Sequence, residues 1–79
     1  MFINITIELE GKRRDIRIDS EQKIKEGLSV LQQRGKLPMG IFPDYFMSHL
    51  NQKPVSAYKT FSEEGVFNGD ILSAIGGVM

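Results

Sequence analysis

A strict alternation of apolar and polar residues opens the chain, and it restricts the fold more than any other feature. Residues 2–9 read FINITIEL, with an apolar side chain at every second position: Ile3, Ile5, Ile7 and Leu9. Because successive side chains of a strand point to opposite faces, we expect a strand with one face on a core and the other in water. A turn at Gly11 and a second alternation over residues 14–19 follow, which predicts a β-hairpin.

The period of the apolar residues then changes from two to three or four. Three residues carry the new spacing: Ile24, Leu28 and Leu31. They would form a narrow apolar stripe along one side of an amphipathic helix. Asp19 or Ser20 is a candidate N-terminal cap, and Gly35 is expected to end the helix in left-handed backbone. Gly27 predicts a close approach of the helix to a sheet, with a functional kink as the alternative.

The second half of the chain contains three further strand candidates, at residues 45–50, 54–56 and 70–75. Pro54 has no backbone N–H to donate, so its strand is expected at an edge of the sheet. Residues 60–63 read TFSE, which is the spacing of a capping box. We therefore expect a short helical turn before the last strand.

The order of these elements predicts an α+β fold in two layers, since one amphipathic helix can cover one face of one sheet. The first and last strands are the most apolar, so we expect them side by side in the centre. They would be parallel, because the helix lies in the crossover that parallel pairing requires. This arrangement is a β-grasp: a mixed sheet of four to five strands with one main helix packed on one face. We expect one domain at residues 1–75 and a flexible tail at 76–79.

Composition narrows the function by exclusion. Among its 79 residues the chain has no Cys and one His, which excludes disulfides, thiolate metal sites and paired-histidine metal sites. Its 10 Lys and Arg residues balance its 10 Asp and Glu residues, which argues against binding to nucleic acid. No nucleophile is paired with a base in the sequence, so we expect neither an enzyme nor a cofactor.

The first ten residues do not read as a targeting segment. They lack a basic start and carry Glu8 and Glu10 inside the apolar stretch, unlike a signal peptide. No apolar run approaches the roughly 20 residues that cross a bilayer, so direct membrane insertion is not expected. The expected location is the cytoplasm, which the absence of Cys also fits.

The order and spacing of these features resemble ubiquitin and its relatives over the whole chain. An N-terminal Met precedes the alternating strand, a Gly11-Lys12 turn follows it, and a helix starts near residue 22. Further matches follow along the chain: Gly35, Pro38, residues 60–63 and Gly76-Gly77. The chain is also similar to the short bacterial proteins of the YukD/EsaB type in its length, its opening FINITIEL and its closing GVFNGDIL. The resemblance implies a ubiquitin-like β-grasp.

Proteins of the YukD/EsaB type are associated with the type VII, or ESX-like, secretion systems of Gram-positive bacteria. There they are small cytosolic accessory or regulatory components, and they are not thought to be conjugated to targets. The resemblance therefore implies a non-catalytic module that binds other proteins, with secretion-system components as partners. A surface of mixed charge with a few exposed apolar residues suits such docking. The sequence does not indicate an oligomeric state.

The C-terminal residues suggest a second function. In conjugated ubiquitin-like modifiers and related sulfur carriers, a terminal Gly-Gly enters the narrow site of an activating enzyme, where side chains would not fit. Here Val78-Met79 follows Gly76-Gly77, so Gly77 would become reactive only after removal of the last two residues. Without such processing, the two glycines form a flexible tail. A third hypothesis is a small subunit of a larger enzyme complex, a role that some β-grasp proteins fill.

The segment between the helix and the third strand is unusually apolar for a loop. Residues 36–44 read KLPMGIFPD and include Met39, Ile41 and Phe42. One interpretation is that the loop wraps over the open end of a small core. The other is that these three side chains form a partner-binding patch.

The resemblance to ubiquitin suggests a second candidate surface. Ubiquitin binds partners through an apolar patch on its third and last strands, and by spacing the matching positions are near Ser48, His49 and Ile75. Ile75 could belong to such a patch, but a Ser and a His cannot carry its apolar centre. We therefore take His49 and Ile75 as candidate contacts for a partner different from the receptors of ubiquitin.

Overall fold

The computed structural model describes residues 1–74, along which strands and one helix follow one another in the predicted order. The elements are β1 (Phe2–Leu9), β2 (Lys12–Asp19), α1 (Ile24–Gln33), β3 (Tyr45–Ser48), β4 (Lys53–Ser56) and β5 (Ile71–Ala74). Each predicted strand is confirmed. β2 begins two residues earlier than the alternation indicates, and β3 ends two residues earlier, at Ser48.

The strands form one mixed sheet in the order β2-β1-β5-β3-β4. β1 and β5 are parallel neighbours in the centre, with Ile7 opposite Leu72, and the other neighbouring pairs are antiparallel. The predicted parallel pairing of the first and last strands is confirmed, and so is the α+β β-grasp arrangement. Pro54 lies in β4, an edge strand, as its missing N–H requires.

The core lies between the sheet and α1. The strands contribute their inward-facing rows: Ile3, Ile5, Ile7, Ile16, Ile18, Phe46, Val55 and Leu72. From the helix, Ile24 and Leu28 are fully buried. A Cβ atom at Gly27 would lie 2.7 Å from Ile18 Cδ1, so close packing against the sheet is confirmed as the role of this glycine.

The two ends of α1 differ in how they are capped. The prediction of an Asp19 or Ser20 cap is wrong, because Lys23 is the N-cap residue and no side chain within residues 1–74 caps it. Asp19 lies too far before the helix, and its carboxylate instead accepts hydrogen bonds from the Glu21 N–H at 3.0 Å and from the N-terminal ammonium at 3.3 Å. Gly35 ends the helix as predicted, with a φ of +75°.

The loop between α1 and β3 covers the end of the core that the helix does not reach. The ten residues of α1 span about 15 Å, whereas the eight residues of β1 span about 26 Å. Leu37 and Phe42 are buried there, and the Phe42 ring centroid lies 6.3 Å from that of Phe46. The interpretation that the loop wraps over the core is confirmed for these two loop residues.

Candidate protein-binding surfaces

The loop presents two large apolar side chains to solvent. Met39 is 77% exposed and Ile41 is 98% exposed, whereas the adjacent Phe42 is 5% exposed. Contrary to the prediction, Phe42 is not available as a partner contact on the surface, because its ring packs beside Phe46 in the core. The apolar surface of the loop consists of Met39 and Ile41, and their contact with a partner stays a prediction.

Beside these two side chains lies a groove, which we call the loop–hairpin groove. It runs between the loop and the β1–β2 turn, and its walls include Leu9, Lys12, Arg14, Met39, Ile41 and Ala74. Lys12 and Arg14 lie on the core-facing side of β2, in the same row as the buried residues of that strand, because side chains two positions apart share a face. In the sheet register, Lys12 is opposite Leu9 and Arg14 is opposite Ile7. Two cations therefore stand beside an apolar wall.

Hydrogen bonds hold the loop in place near its middle and at its end before β3. The Gln32 side-chain amide donates to the carbonyl oxygens of Pro38, at 2.9 Å, and Gly40, at 3.0 Å. Farther along, the Tyr58 hydroxyl donates a 2.7 Å hydrogen bond to the Asp44 carboxylate, which lowers the pKa of Asp44. A loop that is already fixed loses little conformational entropy when a partner binds.

The open face of the sheet, on the side away from α1, carries a chain of polar contacts. His49 Nε2 lies 2.7 Å from Ser73 Oγ, and Ser73 Oγ donates to Glu8 Oε1, also at 2.7 Å. Arg13 Nε lies 3.5 Å from the second oxygen of Glu8. The contacts form because Ser73 is opposite Glu8 in the parallel pair of β1 and β5, and β3 pairs with the other side of β5.

The directions of these hydrogen bonds decide whether the cluster of His49, Ser73, Glu8 and Arg13 could activate Ser73 as a nucleophile. Hydrogen bonding from Ser73, with help from the Arg13 charge, lowers the pKa of Glu8, so this carboxylate is ionised and acts only as an acceptor. Because the Ser73 hydroxyl donates to Glu8, His49 Nε2–H must donate to Ser73. A serine nucleophile instead needs an imidazole that accepts the hydroxyl proton. The cluster is therefore a hydrogen-bonded surface in which Ser73 is not activated by His49.

The candidate residues from the first and second surfaces do not form one patch. Met39 and Ile41 lie at the groove on the helix side of the sheet, whereas His49 lies exposed on the open face. The spacing match of Ser48 to the ubiquitin patch is wrong, because Ser48 is fully buried on the core side of β3.

The predictions that concern the C-terminus lie outside the described residues. They are the contact role of Ile75, the processing site at Gly76-Gly77 and the tail at residues 76–79. Each of them stays a prediction.

Sequence reasoning does not find Ser73 and Glu8 as neighbours of His49. Alternation along each strand places Glu8 and Ser73 on outward-facing rows, and that signal is present in the sequence. Their contact, however, depends on the register between two strands whose paired residues are 65 positions apart. No local pattern specifies this register.

The described residues contain neither a metal-binding cluster nor a membrane-spanning helix. Among residues 1–74, no group of three or more His, Asp or Glu side chains is arranged to hold a metal ion. Over the same range, no helix has both the length and the apolar character needed to cross a membrane.

Comparison with solved structures shows that the fold is ubiquitin-like. The EccD5 ubiquitin-like domain from Mycobacterium xenopi superimposes on this chain with a TM-score of 0.54, covering 99% of each chain at 12% sequence identity. At this identity the likeness shows the fold alone. No protein-family model matches the chain, and the search of curated proteins gave no match.

Proposed function

We propose that this chain is a non-catalytic ubiquitin-like module that binds other proteins in the bacterial cytoplasm, as an accessory or regulatory component of a type VII secretion system. The observation that carries the binding function is the exposure of Met39 and Ile41, at 77% and 98%, on a loop whose neighbours are buried or hydrogen-bonded. Exposed apolar side chains on a fixed loop favour docking, because their burial is favourable and costs little ordering.

The secretion assignment rests on two supports of different kinds. The sequence resembles the YukD/EsaB type in its opening and closing segments. The fold matches that of the ubiquitin-like domain of EccD5, a type VII secretion component. We infer that the partners are proteins of such a system.

The absence of catalysis is part of the same proposal. The Ser73 hydroxyl on the open sheet face donates to Glu8, so the geometry does not favour proton transfer from Ser73 to His49. A protein that only docks needs no nucleophile and no cofactor.

Capture from the native host tests the binding function. The full chain, tagged at its N-terminus, is expected to retain secretion-system proteins, and the double variant M39S/I41S is expected to lose them. L50S is the matched control, because Leu50 is also exposed, at 59%, but lies in the turn after β3. If wild type and M39S/I41S retain the same amount of partner protein, and circular dichroism shows that both are folded, the loop is not part of the binding site.

The intact mass of the protein from its native host separates this function from that of a modifier or sulfur carrier. We expect the full-length chain with Val78-Met79 retained, and we expect deletion of residues 76–79 to leave partner capture unchanged. A species ending at Gly77, or a ladder of heavier adducts, would instead favour activation by an activating enzyme. A copurifying enzyme in equal amount would favour the subunit hypothesis.

A further inference from the structure

We propose that the loop–hairpin groove takes an acidic amphipathic segment of a partner protein. Its bulky apolar side chains would cover Met39 and Ile41, and its carboxylates would pair with Lys12 and Arg14. The inference rests on the proposed function, because it names the class of partner that the binding module takes.

Both walls of the groove contribute apolar side chains. Met39 and Ile41 line it from the loop, and Leu9, which is half-buried, and Ala74, which is exposed, line it from β1 and β5. Gly40 lies between the two loop residues with a φ of +151°, a backbone conformation that favours glycine. The loop conformation that presents both side chains therefore depends on Gly40.

The charges in the groove are cations without partners in the described structure. Arg13, between Lys12 and Arg14 in the chain, turns to the open face and pairs with Glu8 at 3.5 Å. Among residues 1–74, neither Lys12 nor Arg14 forms an ion pair, and Glu10 is the carboxylate that lines the groove. Two cations against one anion leave the groove complementary to a negatively charged ligand.

The two properties together select the class of ligand. A purely apolar segment would cover Ile41 but would desolvate Lys12 and Arg14 without compensation. A nucleic acid would neutralise the cations but would leave Met39 and Ile41 exposed. A protein segment with carboxylates next to large apolar side chains would both neutralise the cations and bury the apolar side chains. Such a segment is narrow and fits a concave groove, whereas a lipid surface does not.

Fluorescence anisotropy with designed peptides tests the inference on the full chain. The probes are labelled amphipathic peptides of about 16 residues with the same apolar positions, in which the polar positions are Glu, Lys or Ser. The variants are I41S, the charge reversal K12E/R14E, and R17E as control. Arg17 lies on the same strand but faces the other side of the sheet, where its guanidinium sits 5.2 Å from the Phe2 ring centroid.

We expect the Glu peptide to bind about tenfold more tightly than the Lys peptide, since two exposed ion pairs are gained. K12E/R14E should reverse this preference, I41S should weaken binding of every peptide, and R17E should leave all affinities unchanged. Amide NMR spectra of each variant establish that it is folded.

Several results would overturn the inference. They are equal affinity for the Glu and Lys peptides, an effect of R17E as large as that of K12E/R14E, or no binding of any peptide. If the chain binds phosphatidylglycerol vesicles and this binding depends on Ile41, the ligand of the groove is a membrane and not a protein segment. If the chain self-associates and I41S abolishes the self-association, the ligand is a second copy of the chain. None of these decides the proposed function, which depends on the effect of M39S/I41S on capture from the native host.

Discussion

Asp70 is the charged side chain buried most deeply in the described part of the chain. It is fully buried, and its carboxylate accepts hydrogen bonds from Ser48 Oγ at 2.6 Å, from the Leu50 N–H at 3.1 Å and from the Ile71 N–H at 2.7 Å. A buried carboxylate needs such donors, because its desolvation is otherwise not offset. Asp70 thereby joins the start of β5 to the end of β3.

Replacement of Asp70 by Ala should lower the free energy of unfolding by about 3 kcal/mol, because buried donors lose their acceptor. Asp70→Asn should cost less, since the amide oxygen can still accept from the backbone. Urea denaturation measures both. Asp15→Ala is the control: Asp15 is exposed and accepts one hydrogen bond, from Thr6 Oγ1, so its loss should change stability by about 0.5 kcal/mol or less. Equal effects at the two positions would contradict this role.

The contact between Gly27 and Ile18 predicts coupling between two substitutions. Gly27→Ala gains about 1 kcal/mol of helix propensity, but its new methyl group meets Ile18 Cδ1 at 2.7 Å. Ile18→Val removes that methyl group and alone costs about 1 kcal/mol. The double variant should therefore be more stable than the sum of the two single effects, by at least about 0.5 kcal/mol in urea denaturation. Additive effects would mean that the helix and sheet are not in close contact here.

At the scale of elements, the turn before β5 is held by reciprocal hydrogen bonds. The Thr60 N–H donates to Glu63 Oε1 at 2.9 Å, and the Glu63 N–H donates to Thr60 Oγ1 at 2.9 Å. The capping box predicted from TFSE is confirmed, although the segment is a hydrogen-bonded turn and not a helix. Gly65 ends this turn with a φ of +73°.

This turn gives a prediction about pH. Hydrogen bonding from the Thr60 N–H lowers the pKa of Glu63 below its usual value of 4.5. A lowered pKa in the folded state means that the stabilisation is present above pH 4.5 and is lost as the pH falls through the folded-state pKa. Glu63→Gln should therefore show a shallower loss of melting temperature between about pH 5 and pH 3 than wild type. Superimposable pH profiles would contradict the role of this carboxylate.

Two neighbouring loop residues are expected to differ in how much their substitution lowers the stability of the fold. Phe42→Ala should lower the free energy of unfolding by about 3 kcal/mol, because it opens a cavity beside Phe46. Ile41→Ala should leave stability unchanged within about 0.5 kcal/mol, since Ile41 is 98% exposed. Thermal unfolding of both variants measures the difference. A large loss with Ile41→Ala would mean that Ile41 supports the fold and is not reserved for a partner.

At the scale of the whole molecule, the fold can be predicted from the sequence more fully than the candidate binding surfaces can. The alternation around Ile5 and the helical spacing of Ile24 and Leu28 depend on local periodicity, so the strands, the helix and the central parallel pair follow from them. The division of the loop into a buried Phe42 and an exposed Ile41 depends on how the loop crosses the core. No period specifies that path, and local sequence therefore does not separate the two roles.

The contacts of the open face show the same limit. Glu8, Ser73 and His49 meet only because three strands pair in one register. Composition shows that the chain has a single His, but the neighbours of this His come from distant parts of the chain. Likewise, the sequence does not predict that Lys12 and Arg14 line a groove with the loop, because their distance from the loop depends on the fold.

Methyl NMR of the full chain with partner proteins captured from the native host tests the docking surface most directly. Ile41 and Met39 report on the loop–hairpin groove, and Ile71 reports on the open face, where it lies half-buried. We predict that the Ile41 and Met39 methyl signals shift and saturate on binding while the Ile71 signal stays in place. A shift of Ile71 with unchanged Ile41 and Met39 signals would contradict the assignment and move the binding site to the open face of the sheet.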